Sequence, residues 1–505
     1  MYQDRIKPQS LWSKVVTPEE AALHIRDGMT VGMSGFTRAG EAKAVPLALA
    51  ERGRREDIKI TLMTGASLGN DLDKTLAEAH VIARRLPFQS DPALRKRINA
   101  GEVMFIDQHL SETVEMLRSR QLGPVDVAIV EAVMIKEDGS IVPTTSVGNS
   151  ATFAMLAEKV IVEINLTLSP VMEGLHDIYI PTRRPFRGPI PITSPQDRVG
   201  LPSIPVDPSR IAAIVISAKQ DSCASIQPPD GETRRIAGHL TEFLENEVAR
   251  GRLGLSLAPL QAGIGSIANA VLHGFLDTGF HDLTMYSEVL QDSTFDLFDA
   301  DKLVFASGSS ITLSPDRHAA VLGDLGRYKN RLVLRPQEIS NHPEVIRRLG
   351  LIAINTALEA DLYGNVNSTH VLGSQMMNGI GGSGDFARNA YLSVFVTKST
   401  AKGGAISSIV PFVSHVDHSE HDVDLIVTEQ GLADLRGLAP RERARVVIEK
   451  CVHPQYRDYL RDYVREAERA VGGQTPHLLD HAFDLHRAFR DHGDMRKAAP
   501  VVAAS

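Results

Sequence analysis

AIVEAVMIKEDGSI at 128–141 lies without a gap on AINTALEADLYGNV at 353–366. Ala128, Ile129, Ala132 and Gly139 fall on Ala353, Ile354, Ala357 and Gly364, and Ile141 faces Val366. At the same offset Gly148 meets Gly373. Each copy begins in an apolar run (VDVAIVEA, 125–132; LIAIN, 351–355) that reads as a buried strand. The match predicts a duplicated domain, and duplicated domains often bind ligand in the cleft between them.

Similar runs recur outward from this pair: MTVGMS (29–34), IKITLMTG (58–65), KVIVEINL (159–166), IAAIVIS (211–217), KLVFAS (302–307), RLVLR (331–335), LSVFVT (392–397) and VDLIVTEQG (423–431). Continuous apolar strands suit sheets covered on both faces. The expected class is α/β, with two similar open, largely parallel domains. Residues 180–208 hold many prolines and read as an irregular excursion. After QPPDGET (227–233), Ile236, Leu240, Phe243, Leu244 and Val248 keep helical spacing, and Gly251 offers a stop. The boundary is placed near 230, giving domains 1–229 and 230–505, the latter with a helical C-terminal extension.

With 505 residues the chain exceeds one typical core. A net charge of −8 argues against a general nucleic-acid binder, though not against an anionic small ligand. Cys223 and Cys451 form no disulfide framework. The polar start MYQDRIKPQS and the lack of a long apolar run predict a soluble, cytoplasmic protein with no membrane span.

GIGGSG (379–384) matches G-x-G-x-x-G. A dinucleotide loop needs a strand before it and an acid about 20 residues after it. HVLGSQMMN is a poor strand, and no Asp or Glu follows Asp385 until Asp417. A structural turn, or a loop whose backbone approaches a substrate carbonyl, remains. His415, His418 and His421 have metal-ligand chemistry, but they lie in a polar loop before a strand, so no metal is expected.

LTMY (283–286) reads as a strand ending at Ser287-Glu288. Carboxyl ends of strands face the ligand crevice of α/β sheets. The bland alternative for Glu288 is a helix-terminal charge. GIGSI (263–267) looks like a glycine turn entering a helix, a source of N–H donors. A carboxylate with glycine backbone suits acyl transfer through a covalent glutamyl intermediate, a carboxylate being already ionised at neutral pH.

Here the chain resembles the acetyl-CoA hydrolase/transferase group of class I coenzyme A transferases. The resemblance rests on VGMSGFTRAGEAKAVP (31–46), LMTGAS (62–67), FIDQHLS (105–111), PTTSVGNS (143–150), GIGSIANAV (263–271), YSEVLQD (286–292), RPQEISNHPEVIRRLG (335–350), GNVNSTH (364–370), MNGIGGSGDFARNAYLS (377–393), TAKGG (400–404) and VTEQGLADLRGL (427–438). It implies two similar domains with the active site between them. It implies Glu288 as nucleophile, backbone oxyanion donors at Ile264 and Gly382, Asn341 near the reacting carbonyl, and Glu429 as a supporting polar residue. Gly263, Ile264, Gly265, Ser266, Ile267, Asn378, Gly382 and Lys402 would contact coenzyme A. Acyl-CoA and a carboxylic acid are then substrates, no cofactor is held permanently, and a homodimer is implied. YSEVLQ, RPQEISN and HVDHSEH look most like the propionyl-CoA:succinate branch. Succinyl-CoA:acetate enzymes carry an arginine in the region matching 211–233, where this chain has only Lys219. The expected activity is transfer between a short acyl-CoA and succinate or acetate. The alternatives are acetyl-CoA hydrolysis and a non-catalytic CoA sensor.

Overall fold

The structure is a computed structural model that describes residues 2–223 and 228–501. Two compact units divide these residues. The first takes residues up to 223, Leu283–Leu349 and Asn378–Asp385; the second takes 228–282, Gly350–Met377 and 386–501. The sequence reading places a single cut near 230 along the chain. Grouping by contact follows space instead, and assigns 283–349 and 378–385 to the first unit.

The strands run β1 (Thr30–Met33), β2 (Ile60–Met63), β3 (Ile82–Leu86), β4 (Met104–Phe105), β5 (Val127–Ala132), β6 (Met134–Ile135), β7 (Ile141–Val142), β8 (Lys159–Asn165) and β9 (Ile211–Ser217). Then come β10 (Leu260–Ala262), β11 (Leu283–Tyr286), β12 (Val289–Leu290), β13 (Leu303–Gly308), β14 (Ser310–Ile311), β15 (Leu332–Leu334), β16 (Ile352–Thr356), β17 (Glu359–Asp361) and β18 (Val366–Asn367).

In the first unit a parallel sheet has the order β4-β3-β2-β1-β5-β8-β9. The run β11-β13-β15 in the same unit is also parallel. In the second unit β10 and β16 pair in parallel, followed by Leu392–Val396 and Leu425–Thr428, with Gly431–Asp434 closing the edge antiparallel. The expected strand 423–431 therefore stops at Thr428, and the chain turns back through Glu429 and Gln430. The α/β class with mostly parallel sheets stands.

The gapless match of 128–141 with 353–366 is a match of backbone. β5 falls on β16, and the antiparallel hairpin β6–β7 falls on β17–β18. Met134↔Val142 and Ile135↔Ile141 become Glu359↔Asn367 and Ala360↔Val366, the same register at the same offset. Both turn glycines are left-handed, Gly139 at φ 83° and Gly364 at φ 105°, where a Cβ would be strained.

The apolar runs supply a core in each unit. Val31, Ile60, Leu62, Val127, Ile129 and Val215 meet Val45, Leu49, Leu72 and Leu76 of the covering helices in the first. Phe395, Ile426, Val447, Leu460, Tyr463 and Leu485 are buried together in the second. Truncating a core leucine of this kind to alanine costs about 2–5 kcal/mol. The helix expected after 230 spans Gly231–Ala249; Asp230 caps it by accepting the Thr233 N–H, and Gly251 at φ 71° stops it. Residues 181–207 hold no helix or strand element, as their prolines imply. The lone tryptophan, Trp12, sits in a short turn at Gln9–Lys14 and donates its indole N–H to the Ile6 carbonyl at 2.9 Å. Single bridges Ile6↔Ile135 and Val15↔Ile214 hold that segment on the first unit.

Lys43 lies at the carboxyl ends of β5 and β8, fully buried. Its ammonium contacts Glu131 at 2.5 Å and Asp221 at 2.8 Å, and its backbone N–H donates to Glu163. Burial, and then Asp221, push the Glu131 carboxyl up to about 8 despite Lys43. Among the described residues no helix is long and apolar enough to cross a membrane.

Candidate active site

Glu288 follows β11 by two residues. Its backbone is pinned first: the Ser287 N–H donates to the Ser307 carbonyl, and the Glu288 carbonyl accepts from the N–H groups of Ser309 and Ser310 at 2.6 and 3.1 Å. Tyr286, fully buried, donates its hydroxyl to the Ile339 carbonyl at 2.6 Å and so ties the strand end to the short helix Gln337–Ser340. Asn341 caps that helix, is itself fully buried, and donates Nδ2 to Glu288 Oε1 at 2.5 Å.

Gly382 completes the setting. A Cβ there would lie 1.6 Å from Glu288 Oε1, 2.3 Å from Asn341 Nδ2 and 2.4 Å from the Glu288 carboxyl carbon. The glycine is required by close approach. Its φ is not left-handed, whereas Gly381 before it has φ 60°. The helix Ser383–Ala387 begins directly after it. The expectation that GIGGSG is no dinucleotide loop agrees with what precedes it, an antiparallel hairpin of His370–Val371 with Gln375–Met376.

Burial pushes the Glu288 carboxyl up to about 7, against the bond from Asn341. Glu288 is half-buried, and the shift runs against the expectation of a carboxylate already ionised at neutral pH. It could not be read from sequence, because it arises from desolvation by segments far apart in the chain.

Glu288, Asn341, Asn378 and Gly382 all belong to the first unit. Gly263, Ile264, Gly265, Ser266, Ile267, Lys402 and Glu429 belong to the second. There Gly263 donates its N–H to the Ile354 carbonyl at 2.8 Å, Gly265 is left-handed at φ 131°, and Ser266–Gly274 forms the expected helix. Ile264 is 45% exposed, a large apolar side chain left open at a helix entrance. Lys402 is exposed, with Nζ 4.9 Å from the Phe489 ring. Glu429 is buried; its carboxylate accepts from Ser399 N–H at 2.8 Å, from the Ser399 hydroxyl and from Gln430 Nε2. Burial raises its pKa, and these bonds outweigh burial to hold it below the usual range.

The histidine stretch does not converge. His415 stacks on His370 at 3.9 Å, His418 is buried beside Phe395, and His421 is exposed. Among the described residues no group of three His, Cys, Asp or Glu could hold a metal ion. Residues that sequence reasoning did not single out also surround the glycine run, namely Phe88, Asp107, His109, Ser111 and Asp385. FIDQHLS carried a resemblance but no assigned role.

Residues 1–216 match the acetyl-CoA hydrolase/transferase N-terminal domain, and residues 322–464 match the corresponding C-terminal domain. The chain belongs to the acetyl-CoA hydrolase/transferase family. A succinyl-CoA:acetate CoA-transferase of Clostridium kluyveri is 49% identical over 98% of this chain and 92% of its own. A propanoyl-CoA:succinate CoA transferase of Escherichia coli is 45% identical over 96% and 99%. An acetyl-CoA hydrolase of Candida glabrata is 46% identical over 98% of both chains. Among solved structures, RipA from Yersinia pestis covers 91% of this chain and 98% of its own, at 23% identity and TM-score 0.71. A 4-hydroxybutyrate CoA-transferase from Porphyromonas gingivalis covers 92% of this chain and 100% of its own, at 21% identity and TM-score 0.62. These two structures share the fold. The family's members thus include both transferases and hydrolases over nearly the full chain length.

Proposed function

We propose that this protein transfers coenzyme A between a short-chain acyl-CoA, such as propionyl- or acetyl-CoA, and succinate or acetate. The observation that carries the proposal is the Glu288 carboxyl, closed in between Asn341 Nδ2 and the bare backbone of Gly382.

Ionised Glu288 attacks the thioester carbonyl. The C–S bond breaks, leaving an acyl–glutamyl anhydride and the CoA thiolate. The thiolate attacks the glutamyl carbonyl, expels the first carboxylate and forms a glutamyl–CoA thioester. A second carboxylate attacks that thioester, and the returning thiolate then takes its acyl group and frees Glu288. Charge gathers on a carbonyl oxygen at each addition, so donors fixed in advance lower the barrier. Asn341 and the backbone N–H groups of Gly382 and Ile264 take that role. Residues 263–267, Asn378 and Lys402 hold coenzyme A, and Glu429 keeps its surroundings polar. Water attack on either intermediate gives hydrolysis, so the balance of transfer and hydrolysis depends on water access.

In this proposal the halves 1–229 and 230–505 are the duplicated domains. The enzyme works in the cytoplasm as a homodimer without a resident cofactor. Sedimentation of the purified protein tests the dimer.

The chemical test is a panel of acyl-CoAs crossed with acetate, propionate, succinate and water. Acyl-CoA followed by borohydride modifies Glu288, while Glu288→Ala forms no adduct and loses transfer by orders of magnitude. Normal turnover in that variant would falsify the mechanism. Coenzyme A binding without exchange of label between acid and acyl-CoA would favour a sensor, and turnover with water alone a hydrolase.

A further inference from the structure

The segment 105–111 of the N-terminal half contacts both elements that meet at Glu288, the glycine run and the helix that ends in Asn341. Both carboxylate oxygens of Asp107 accept from the Ile380 N–H, at 2.8 and 3.0 Å. A Cβ on Gly379 would lie 2.6 Å from that carboxylate, and one on Gly384 would lie 2.3 Å from the His109 ring. Ser111 grips the far end of the run. Its N–H donates to Asp385 Oδ2 at 3.1 Å and its hydroxyl to Asp385 Oδ1 at 2.7 Å. Both residues are buried, Ser111 at 7% and Asp385 at 4% exposure. Between Ser111 and His109, the Leu110 carbonyl accepts from Gln337 Nε2 at 3.1 Å, on the helix that ends in Asn341. One short segment therefore holds both the glycine run and the helix that ends in Asn341, the two elements that meet at Glu288 Oε1.

We propose that Ser111 and Asp385 are a positioning pair that sets the Gly382 backbone at the Glu288 carboxyl during CoA transfer. The assignment rests on the transferase reading above and adds to it the residues that fix one donor wall. Asp385 touches no reacting atom; it acts through Ser383 and Gly384, the two residues that separate it from Gly382. A looser run moves a donor by a fraction of an ångström to an ångström. Misplacement on that scale costs on the order of 10²-fold in rate.

Asp385 also titrates near its function. Burial pushes its carboxyl up to about 8; the bonds from Ser111 oppose this, and the charges of Glu288 and then Glu112 add to it. Asp107 and His109 are the other ionisable groups on the segment that faces it. With its pKa raised, the Asp385 carboxyl adds little negative charge of its own beside the developing oxyanion at neutral pH. Above about pH 8 it ionises, and the rate falls.

The experiment measures formation of the glutamyl–CoA thioester in a single turnover, by mass of the Glu288 peptide, from pH 6 to 10. Wild type, Ser111→Ala, Asp385→Ala and Asp385→Asn are compared, with thermal midpoints recorded. Asp385→Ala is expected to lose about 30- to 100-fold in rate, with the acyl-CoA KM changed less than threefold. Asp385→Asn recovers at least tenfold of that loss and lacks the alkaline fall. Ser111→Ala falls between them. A rate within twofold of wild type in Asp385→Ala overturns the proposal, as does an Asp385→Asn variant no faster than Asp385→Ala. If Asp385→Ala does not fold, Asp385→Asn decides, and an unchanged alkaline limb overturns the pair. Absence of any thioester in wild type sinks the transferase reading; equal thioester in wild type and variants sinks only the positioning pair.

Discussion

At Gly382 a methyl group decides whether Glu288 has a place. A Cβ would sit inside the carboxyl's van der Waals shell, yet the clashing atoms are the far end of a side chain that can swing aside. Gly382→Ala is therefore expected to cost turnover by two orders of magnitude or more while moving the thermal midpoint only a few degrees. Equal losses of activity and stability would return the run to a structural turn. Glu288 makes the opposite trade. Its folded pKa of about 7 stands above its usual value, so the fold binds its proton more tightly than the unfolded chain does. Its effect on stability is nil below the ordinary glutamate range, and stability is lost as pH rises to about 7, by at most about 3 kcal/mol. Glu288→Gln removes that loss: its melting temperature should exceed wild type at pH 8 and match it near pH 4.5. The same pKa predicts a thioester-forming rate that falls as pH drops below 7. The residue types were legible at this scale, Glu288 from its place after LTMY and Gly382 from its family motif. The carboxyl's protonation was not, because it depends on burial by segments around 288, 341 and 382.

Among the elements, the hairpins carry the duplication most plainly. β6–β7 and β17–β18 share register residue for residue, though no strand propensity marks such short pieces. Only the glycine at each turn and the preceding strand made them legible. The long apolar strands were easier, since continuous runs need cover on both faces. What escaped was the segment 105–111, because a polar loop announces no partner until the chain folds. The cluster around Lys43 escaped for the same reason: Glu131, Glu163 and Asp221 lie on or after separate strands and converge only in the sheet. Removing the lysine by Lys43→Met leaves carboxylates buried without their cation, which costs about 3–5 kcal/mol. The loss should be larger at pH 8 than at pH 5.5, where those carboxyls can take up protons. A loss independent of pH in chemical denaturation would show that packing, not charge, holds the cluster.

For the molecule as a whole, the two contact-defined units do not respect the order of the chain: 283–349 and 378–385 join the first unit, and 350–377 the second. Strands and repeats could be read along the sequence. Which stretches share a core could not, since the chain leaves and re-enters each unit. One probe follows from where the indole lies. The only tryptophan of the 505 residues is Trp12, 38% exposed in the turn at 9–14 of the first unit. Tyr363, Tyr391, Tyr456, Tyr459 and Tyr463 are in the second unit. Selective tryptophan emission therefore comes from one N-terminal turn. A melt followed at that wavelength times the release of residues 9–14, and a titration with acyl-CoA should leave it flat even as a thioester accumulates at Glu288. Loss of fold in the second unit has to be watched through its tyrosines or its circular dichroism.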